Sequence, residues 1–321
     1  MCSVSEINLP IREIARYDPG MRVVSLLPSA TEIAARLGLL DHIVGISHEC
    51  DYPASAKKLP VLTSSILDHG LSSEQIDAAV TAAVLEQKPL YVVDGELLAA
   101  LKPDLILTQG ICSVCAVTPE TVTEGLKLVR LEASCTAPVL SLSGVDYAGI
   151  MRDIQSVAVA CRVPERGEAL VAELDTRWGA IQSCEGSPKV MMLEWPDPPW
   201  SGGHWVPEQV AAAGGVEPFS EPGAPSRRLT WAEVIAADPD VIIAAACGFD
   251  LQTNLQHIQD AIAADRDVAE LRAVKTGQVW AVDANSYFSR PAPRVVEGAE
   301  LLAAILSGGS IDPAHARQVV Q

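Results

Sequence analysis

The chain has few basic residues, few aromatic residues and no long apolar run, and each shortage argues against a class of protein. Lys and Arg number 23 against 41 Asp and Glu, which gives a formal net charge of −18. Because such a charge repels phosphate backbones, no nucleic-acid partner is expected. No stretch approaches the roughly 20 apolar residues that a membrane span needs, so membrane insertion is not expected either.

The beginning of the sequence, MCSVSEINLPIREIARYDPGM, lacks the uninterrupted apolar stretch of a signal peptide. We therefore expect a cytoplasmic protein, or a periplasmic one if a leader has been removed. The eight cysteines do not have the dense spacing of a disulfide scaffold. Burial or metal binding is therefore favoured over cross-linking.

Motifs of the common enzyme classes are also missing. The sequence contains no GxSxG elbow, Walker loop, HExxH or GxGxxG. His48 and Cys50 are a possible base and nucleophile by type, but residues two apart on a loop rarely face each other productively. We predict that the protein is not an enzyme.

The composition that remains favours a layered α/β protein of two domains. Hydrophobic residues make up 49% of the 321 residues and aromatics only 4%, so the core is expected to consist mostly of Ala, Val, Leu and Ile. Arg22–Leu27 has the pattern of a strand, Thr31–Gly38 that of a helix and His42–Ile46 that of a second strand. In a parallel sheet the loops that follow such strands share one edge, where ligands are usually held.

The rest of the chain repeats this alternation. Strand patterns begin at Leu105, Val139, Lys189, Val241 and Gly277, and the stretch 147–183 is helical nearly throughout. Leu101–Ile106 and Ala237–Ile242 share one pattern, in which a helix ends at an x-Pro-Asp turn and a strand follows at once. We predict an N-terminal extension over 1–21, a β/α lobe over 22–146, connecting helices over 147–184 and a second β/α lobe over 185–321.

Seven segments occur in order along the chain: RVVSLLPSATEIAARLG, VGISHECDYP, LKPDLILTQG, PPWSGG, AAAGG, DPDVIIAA and SYFSRPAPR. Together they resemble the helical-backbone (class III) periplasmic substrate-binding proteins of cobalamin, siderophore and haem importers, and the cobalamin-binding branch is the most similar. The resemblance implies an α/β fold of two Rossmann-like lobes joined by a long backbone helix, with a ligand cleft between the lobes. It also implies an ABC transporter or a ligand-accepting protein as partner, with Glu96 at the position of a docking carboxylate.

Loops that follow strands supply the candidate ligand-binding residues. The loop 194–207 holds three of the six tryptophans, and flat aromatic side chains suit a large planar ligand. Alternatives are a hydrophobic plug for these tryptophans, a helix N-cap for Thr31, and a helix-capping or lobe-bridging role for Arg290. The predicted ligand-binding residues are Pro28, Ser29, Thr31, His48, Cys50, Tyr52, Trp195, Trp200, His204, Trp205, Cys247, Phe249, Tyr287, Phe288 and Arg290.

Four soft ligands follow two strands of the first lobe. His48 and Cys50 lie in one loop, and Cys112 and Cys115 form a CxxC in another. Imidazole and thiolate suit zinc or an iron-sulfur cluster, so the four residues are a candidate metal site. Buried inert cysteines are the alternative. A further alternative is an axial bond from His48 or a thiolate to the cobalt of a corrinoid.

The function expected from the sequence is non-enzymatic binding of cobalamin or a related corrinoid. One alternative is a protein that uses a zinc or iron-sulfur site as a sensor, carrier or assembly partner. The other is a siderophore- or haem-binding subunit of an ABC importer.

Overall fold

The computed structural model describes residues 17–67, 73–86, 90–110, 121–122 and 135–319. The chain divides into two compact units. The first comprises Met1–Gly144 with Ala148–Glu173, and the second comprises Val145–Tyr147 with Leu174–Gln321. Each unit has its own β-sheet and its own hydrophobic core.

The first unit is built on a four-stranded parallel sheet of order β2-β1-β5-β6. A separate antiparallel pair joins β3 to β4. Up to Gly179 the elements are β1 (Val23–Ser25), α1 (Pro28–Arg36), β2 (Ile43–Ile46), β3 (Thr63–Ser65), α2 (Ser73–Glu86), β4 (Tyr91–Val93), α3 (Gly95–Leu101), β5 (Leu105–Gln109), β6 (Val139–Leu142), α4 (Tyr147–Ala160) and α5 (Pro164–Gly179).

The second unit is built on a five-stranded sheet of order β11-β10-β9-β7-β8. Strands β7, β9 and β10 are parallel, while the edge strands β8 and β11 are antiparallel to their neighbours. Its elements are β7 (Val190–Pro196), β8 (Pro199–Ser201), α6 (Val206–Ala212), α7 (Trp231–Ala237), β9 (Val241–Ala244), α8 (Leu251–Ala264), α9 (Arg266–Ala269), α10 (Arg272–Lys275), β10 (Val279–Val282), α11 (Ala284–Tyr287), α12 (Val295–Ser307) and β11 (Ala316–Gln318).

The parallel strands form where the sequence has short, continuous apolar runs. All four residues of β9 are buried, as are all three of β1, because helices cover both faces of a parallel sheet. The prediction of an α/β fold with parallel sheets is confirmed. The predicted helical stretch 147–183 consists of α4 and α5, separated by Arg162 in the left-handed conformation (φ 61°), and Pro164 begins α5 as expected.

The repeated x-Pro-Asp turn joins a helix to a strand in the same way in both units. Asp104 accepts a hydrogen bond from the backbone N–H of Arg22 just before β1, and Asp240 accepts one from the N–H of Lys189 just before β7, both at 2.8 Å. The turn thus ties the start of one strand to the start of its neighbour. The preceding helix ends in a left-handed residue in each case, Lys102 (φ 47°) and Asp238 (φ 44°).

Two local predictions are wrong. Thr31 is not a helix N-cap, because α1 begins at Pro28 with Leu27 as its N-cap, and a proline at the first helical position is favourable. The stretch 194–207 is not a single loop: β7 continues to Pro196, Asp197 and Pro198 form a turn, and β8 follows. The prolines indicated a loop, yet β8 is an edge strand, where proline is tolerated.

Candidate functional site

Three neighbouring parallel strands of the second unit end at the same edge of its sheet. The register pairs Leu193 of β7 with Ala244 of β9, and Ala244 with Ala281 of β10, so the three strands end at about the same level. Ligands of parallel α/β sheets are typically bound at the carboxyl ends of the strands. The residues that follow β7, β9 and β10 are therefore the candidate site of this unit.

Strand β7 carries its aromatic residues into a hairpin with β8. Trp195 lies directly opposite Trp200 across the two strands, and the indole N–H of Trp195 donates to the carbonyl of Asp197 in the turn at 3.1 Å. Both indoles are partly exposed. The hairpin therefore presents two large, flat side chains whose backbone is fixed by ladder hydrogen bonds.

Trp195 is also the first ring of a cluster that extends across the sheet edge. Phe249, in the loop after β9, has its ring centroid 5.1 Å from that of Trp195, and the ring of His257 in α8 lies 4.8 Å from that of Phe249. All three side chains are partly exposed. We call Trp195, Phe249 and His257 the aromatic cluster. His257 was not predicted from the sequence, because the sequence around a helical histidine does not indicate which rings it contacts in the folded protein.

His204 and Trp205 lie deeper than the aromatic cluster. Trp205 is only 6% exposed at the start of α6, and the imidazole of His204 stacks on it with a centroid distance of 5.9 Å. Burial lowers the pKa of His204, which favours a neutral ring. Among the described residues, neither His204 Nδ1 nor Trp205 Nε1 has a hydrogen-bond partner. Trp205 thus packs in the interior, as the plug alternative expects.

A buried side-chain amide holds the segment after β10 through two hydrogen bonds. Gln209 of α6 donates its side-chain N–H to the carbonyls of Tyr287 (3.0 Å) and Val295 (2.8 Å). Tyr287, the last residue of α11, is nearly buried, as are Phe288 and Arg290 in the loop that follows it. Cys247, after β9, is exposed.

Glu194, near the end of β7, is a further polar residue at this strand edge and was not among the residues predicted from the sequence. Its Oε2 accepts a hydrogen bond from Ser226 Oγ at 2.6 Å and one from the backbone N–H of Gly203 at 3.1 Å. Burial raises the pKa of Glu194, although both hydrogen bonds act in the opposite direction. A carboxyl group at the end of a strand pattern was the available signal in the sequence.

In the first unit, the predicted residues after β1 form an internal network. Thr31 is fully buried; its hydroxyl donates to Ser25 Oγ at 2.8 Å and lies 3.1 Å from Cys50 Sγ. Ser29 is also buried, and Pro28 is the first residue of α1. These contacts link the exit of β1 to the exit of β2.

The exit of β2 holds His48 in a defined orientation. His48 Nδ1 lies 2.6 Å from Thr63 Oγ1, its ring centroid lies 5.4 Å from that of Tyr91, and its Nε2 lies 3.2 Å from a carboxylate oxygen of Glu49. Tyr52, further along the loop, is 41% exposed.

The candidate metal site is only half described. Cys112 and Cys115 lie outside the described residues, so the set with His48 and Cys50 stays a prediction. Within the ranges that the structure describes, no group of three or more His, Cys, Asp and Glu side chains is placed to hold a metal ion. None of the described helices is long and apolar enough to cross a membrane.

Comparison with known proteins gives a consistent result. A family model described as periplasmic binding protein matches residues 23–285. A vitamin B12-binding protein of Vibrio cholerae serotype O1 is 25% identical over 292 residues, which is 89% of each chain.

Two solved structures share the fold. The periplasmic vitamin B12 binding protein BtuF of Vibrio cholerae has a TM-score of 0.57 and 24% identity, and the match covers 90% of this chain and 97% of that one. The apo form of the periplasmic heme-binding protein RhuT from Roseiflexus sp. RS-1 has a TM-score of 0.65 and 23% identity, with 90% and 98% covered. At these identities the structural matches establish the fold alone.

Proposed function

The chain belongs to the periplasmic binding protein family, and from this premise we propose that it binds cobalamin or a related corrinoid. The resemblance found in the sequence is confirmed. Since the family consists of solute-binding proteins, the expectation of a binding protein without enzymatic activity is confirmed as well. The identity of the solute is the proposal.

The observation that carries this proposal is the aromatic cluster at the carboxyl edge of the second sheet. Its three rings follow one another at centroid distances of 5.1 and 4.8 Å and are partly exposed. Side chains of this kind offer a large apolar surface to a macrocycle at a small cost in conformational entropy. A relative that matches over 89% of the chain is a vitamin B12-binding protein, which supports the same ligand.

Haem is the second candidate, because one of the solved structures with this fold is a heme-binding protein. Charge favours the corrinoid. Haem carries two carboxylates, whereas the corrin ring carries neutral amides, and this chain has a formal net charge of −18. Glu194 adds a further carboxyl group at the strand edge of the second unit.

We further propose an ABC transporter as the partner, in keeping with the family. Glu96 is exposed in the first turn of α3, whose N-cap is Asp94, and is therefore available as a docking carboxylate. Glu96→Arg is expected to reduce co-purification with the transporter while leaving ligand binding unchanged. Equal co-purification of both forms would exclude this role for Glu96.

The compartment and the domain boundaries belong to the proposal. The solved relatives are periplasmic proteins, so the expected cytoplasmic location has no support from them, and we propose the periplasm instead. Fractionation of cells that express the native gene tests this.

We retain the division into 1–21, 22–146, 147–184 and 185–321 as a proposal, with limited proteolysis as its test.

A zinc or iron-sulfur site has no support from the relatives. It rests on the predicted set of His48, Cys50, Cys112 and Cys115, of which the last two lie outside the described residues. Metal analysis of the protein as purified decides it. Stoichiometric zinc or iron that is lost in the double variant Cys112→Ser and Cys115→Ser would establish the site.

The ligand is tested with optical spectra. Added cobalamin is expected to quench tryptophan fluorescence, because all six tryptophans lie in the second unit and three of them lie in the segment 195–205. The corrinoid absorption is expected to shift. Unchanged fluorescence and absorption with cobalamin, together with a Soret shift on addition of hemin, would replace the corrinoid with haem.

A further inference from the structure

Glu194 occupies an irregular position in its strand. The ladder between β7 and β8 pairs Leu193 with Ser201 and Trp195 with Trp200, so Glu194 is the extra residue of a β-bulge. Bulges interrupt the alternation of side chains and redirect the bulged residue, and they are common beside binding sites. The bulge therefore interrupts the regular alternation of side chains at Glu194, directly before Trp195 of the aromatic cluster.

One side-chain donor and one backbone donor hold the Glu194 carboxyl group in place. Ser226 Oγ and the N–H of Gly203 both donate to Oε2, so neither bond uses Oε1. A Cβ on Gly203 would collide with the backbone N of Ser226, and one on Gly202 would lie 2.7 Å from a methyl carbon of Val206. Gly203 therefore allows the close approach to Ser226 that brings the two donors to the carboxyl group.

Glu194 faces a small cavity that contains a second polar group. The cavity has a volume of about 10 Å³, enough for about one water-sized group, and lies where β7, β9 and the loop after β10 meet. Ser289 Oγ is buried there with no hydrogen-bond partner among the residues that the structure describes. The residues that line it are Met192, Glu194, Gly202, Val206, Ala245, Phe288 and Ser289.

A buried hydroxyl without a partner is costly unless a ligand or water completes it. The cavity thus offers one hydroxyl and one carboxyl oxygen within apolar walls, and it is too small for more than the end of a polar side chain.

We propose that Glu194 and Ser289 bind a carboxamide group of the ligand and thereby select an amide-bearing ligand over one that carries carboxylates at the same place. The inference rests on the proposed function and names its specificity determinant. An amide N–H₂ donates to Oε1, the oxygen to which neither Ser226 nor Gly203 donates, and the serine hydroxyl bonds the amide in either direction. A ligand carboxylate offers acceptors only, and it would face a second carboxyl group.

The preference for the amide over the carboxylate depends on the protonation state of Glu194. A protonated Glu194, which its burial favours, donates to the amide oxygen, and an ionised one accepts from the amide nitrogen. The carboxamide satisfies both forms because it is both donor and acceptor. A carboxylate ligand accepts a hydrogen bond from the protonated form but not from the ionised form. Discrimination against carboxylates therefore requires the ionised form, which the two hydrogen bonds to Oε2 favour.

The test compares cobalamin with its monocarboxylate derivatives, in which one peripheral amide has been hydrolysed. Affinities are measured by fluorescence titration at pH 7.5 for the wild type, Glu194→Gln and Ser289→Ala. Glu208→Gln and Ser307→Ala are the matched controls, since the Glu208 carboxyl accepts a backbone N–H and Ser307 bonds within α12, and neither residue lines the cavity.

The wild type is expected to bind cobalamin at least about tenfold more tightly than one of the monocarboxylates, the worth of one buried hydrogen bond to a charged group. Glu194→Gln is expected to abolish that ratio, because its amide can donate to a carboxylate. Ser289→Ala, which removes one hydroxyl, is expected to weaken cobalamin binding about fivefold. The controls should match the wild type.

The outcomes distinguish a failure of the amide site from a failure of the proposed cobalamin binding. If the wild type binds cobalamin, but all monocarboxylates bind equally well and both cavity variants behave like the controls, the amide site is wrong and the proposed function stands. If Glu194→Gln does not fold, Ser289→Ala and the comparison of the monocarboxylates with cobalamin still test the amide site. If the wild type does not bind cobalamin, the proposed function and this inference are both overturned.

Discussion

Glu217 provides a quantitative prediction about the second unit. Its carboxylate accepts the N–H of Met192, within β7, at 2.9 Å and the N–H of Phe219 at 3.1 Å. Burial raises the pKa of Glu217 from its ordinary 4.5 to about 8, and this effect exceeds the lowering by the two hydrogen bonds. The folded protein therefore binds this proton more tightly than the unfolded chain does.

Glu217 makes the free energy of unfolding decrease as the pH rises. A carboxyl group with a raised pKa contributes stability that is complete below the unfolded pKa and is lost as the pH rises through the folded pKa. With 1.36 kcal/mol for each pH unit between the two pKa values, Glu217 lowers the free energy of unfolding by at most about 4 kcal/mol between pH 5 and pH 8.

The assay is urea unfolding at pH 5, 6, 7 and 8, followed by tryptophan fluorescence. All six tryptophans lie in the second unit with Glu217, so the signal reports that unit. Glu217→Gln removes the titration but keeps only one acceptor oxygen. We expect it to be less stable than the wild type by about 1 kcal/mol at pH 5 and more stable at pH 8.

The difference between the two proteins isolates Glu217, because other carboxyl groups with raised pKa values, such as Glu208, titrate in both. A difference that stays constant from pH 5 to pH 8 would refute the reasoning.

Further predictions concern ligand binding at the aromatic cluster and the stability of the second unit. Trp195→Leu should weaken cobalamin binding about tenfold or more, because it removes the ring that joins the hairpin to the aromatic cluster; unchanged affinity in the fluorescence titration would exclude this surface. Asp240→Ala should cost about 1–2 kcal/mol in urea unfolding, since it leaves the N–H of Lys189 without its acceptor, and wild-type stability would contradict that role. Thr230→Ala should cost about 1 kcal/mol by removing the capping box of α7; an unchanged urea midpoint would show that the cap is not needed.

The sequence was sufficient where structure depends on neighbours in the chain. The apolar runs predicted β5, β6 and β9 to within a residue or two, and the x-Pro-Asp pattern predicted two equivalent turns. These features are local. A buried parallel strand needs only a short apolar run, and the turn needs only a proline, which disfavours a helical conformation in the residue before it.

The residues that were missed depend on contacts distant in sequence. Glu194 gains its role from a bulge opposite β8, from Ser226 and from a cavity closed by Ser289. His257 joins the aromatic cluster only because α8 packs beside the loop after β9. Neither arrangement leaves a periodic pattern in the sequence. Conversely, Trp205 was selected by type and proved to be nearly buried.

The central claim is that this binding protein takes up a corrinoid, and a calorimetric titration with purified cobalamin tests it most directly. We predict one site per chain, a Kd in the micromolar range or below, about −8 kcal/mol or stronger, and a negative heat-capacity change from the burial of apolar surface. Absence of binding heat at several temperatures, together with free passage of cobalamin in equilibrium dialysis against the same protein, would contradict the claim.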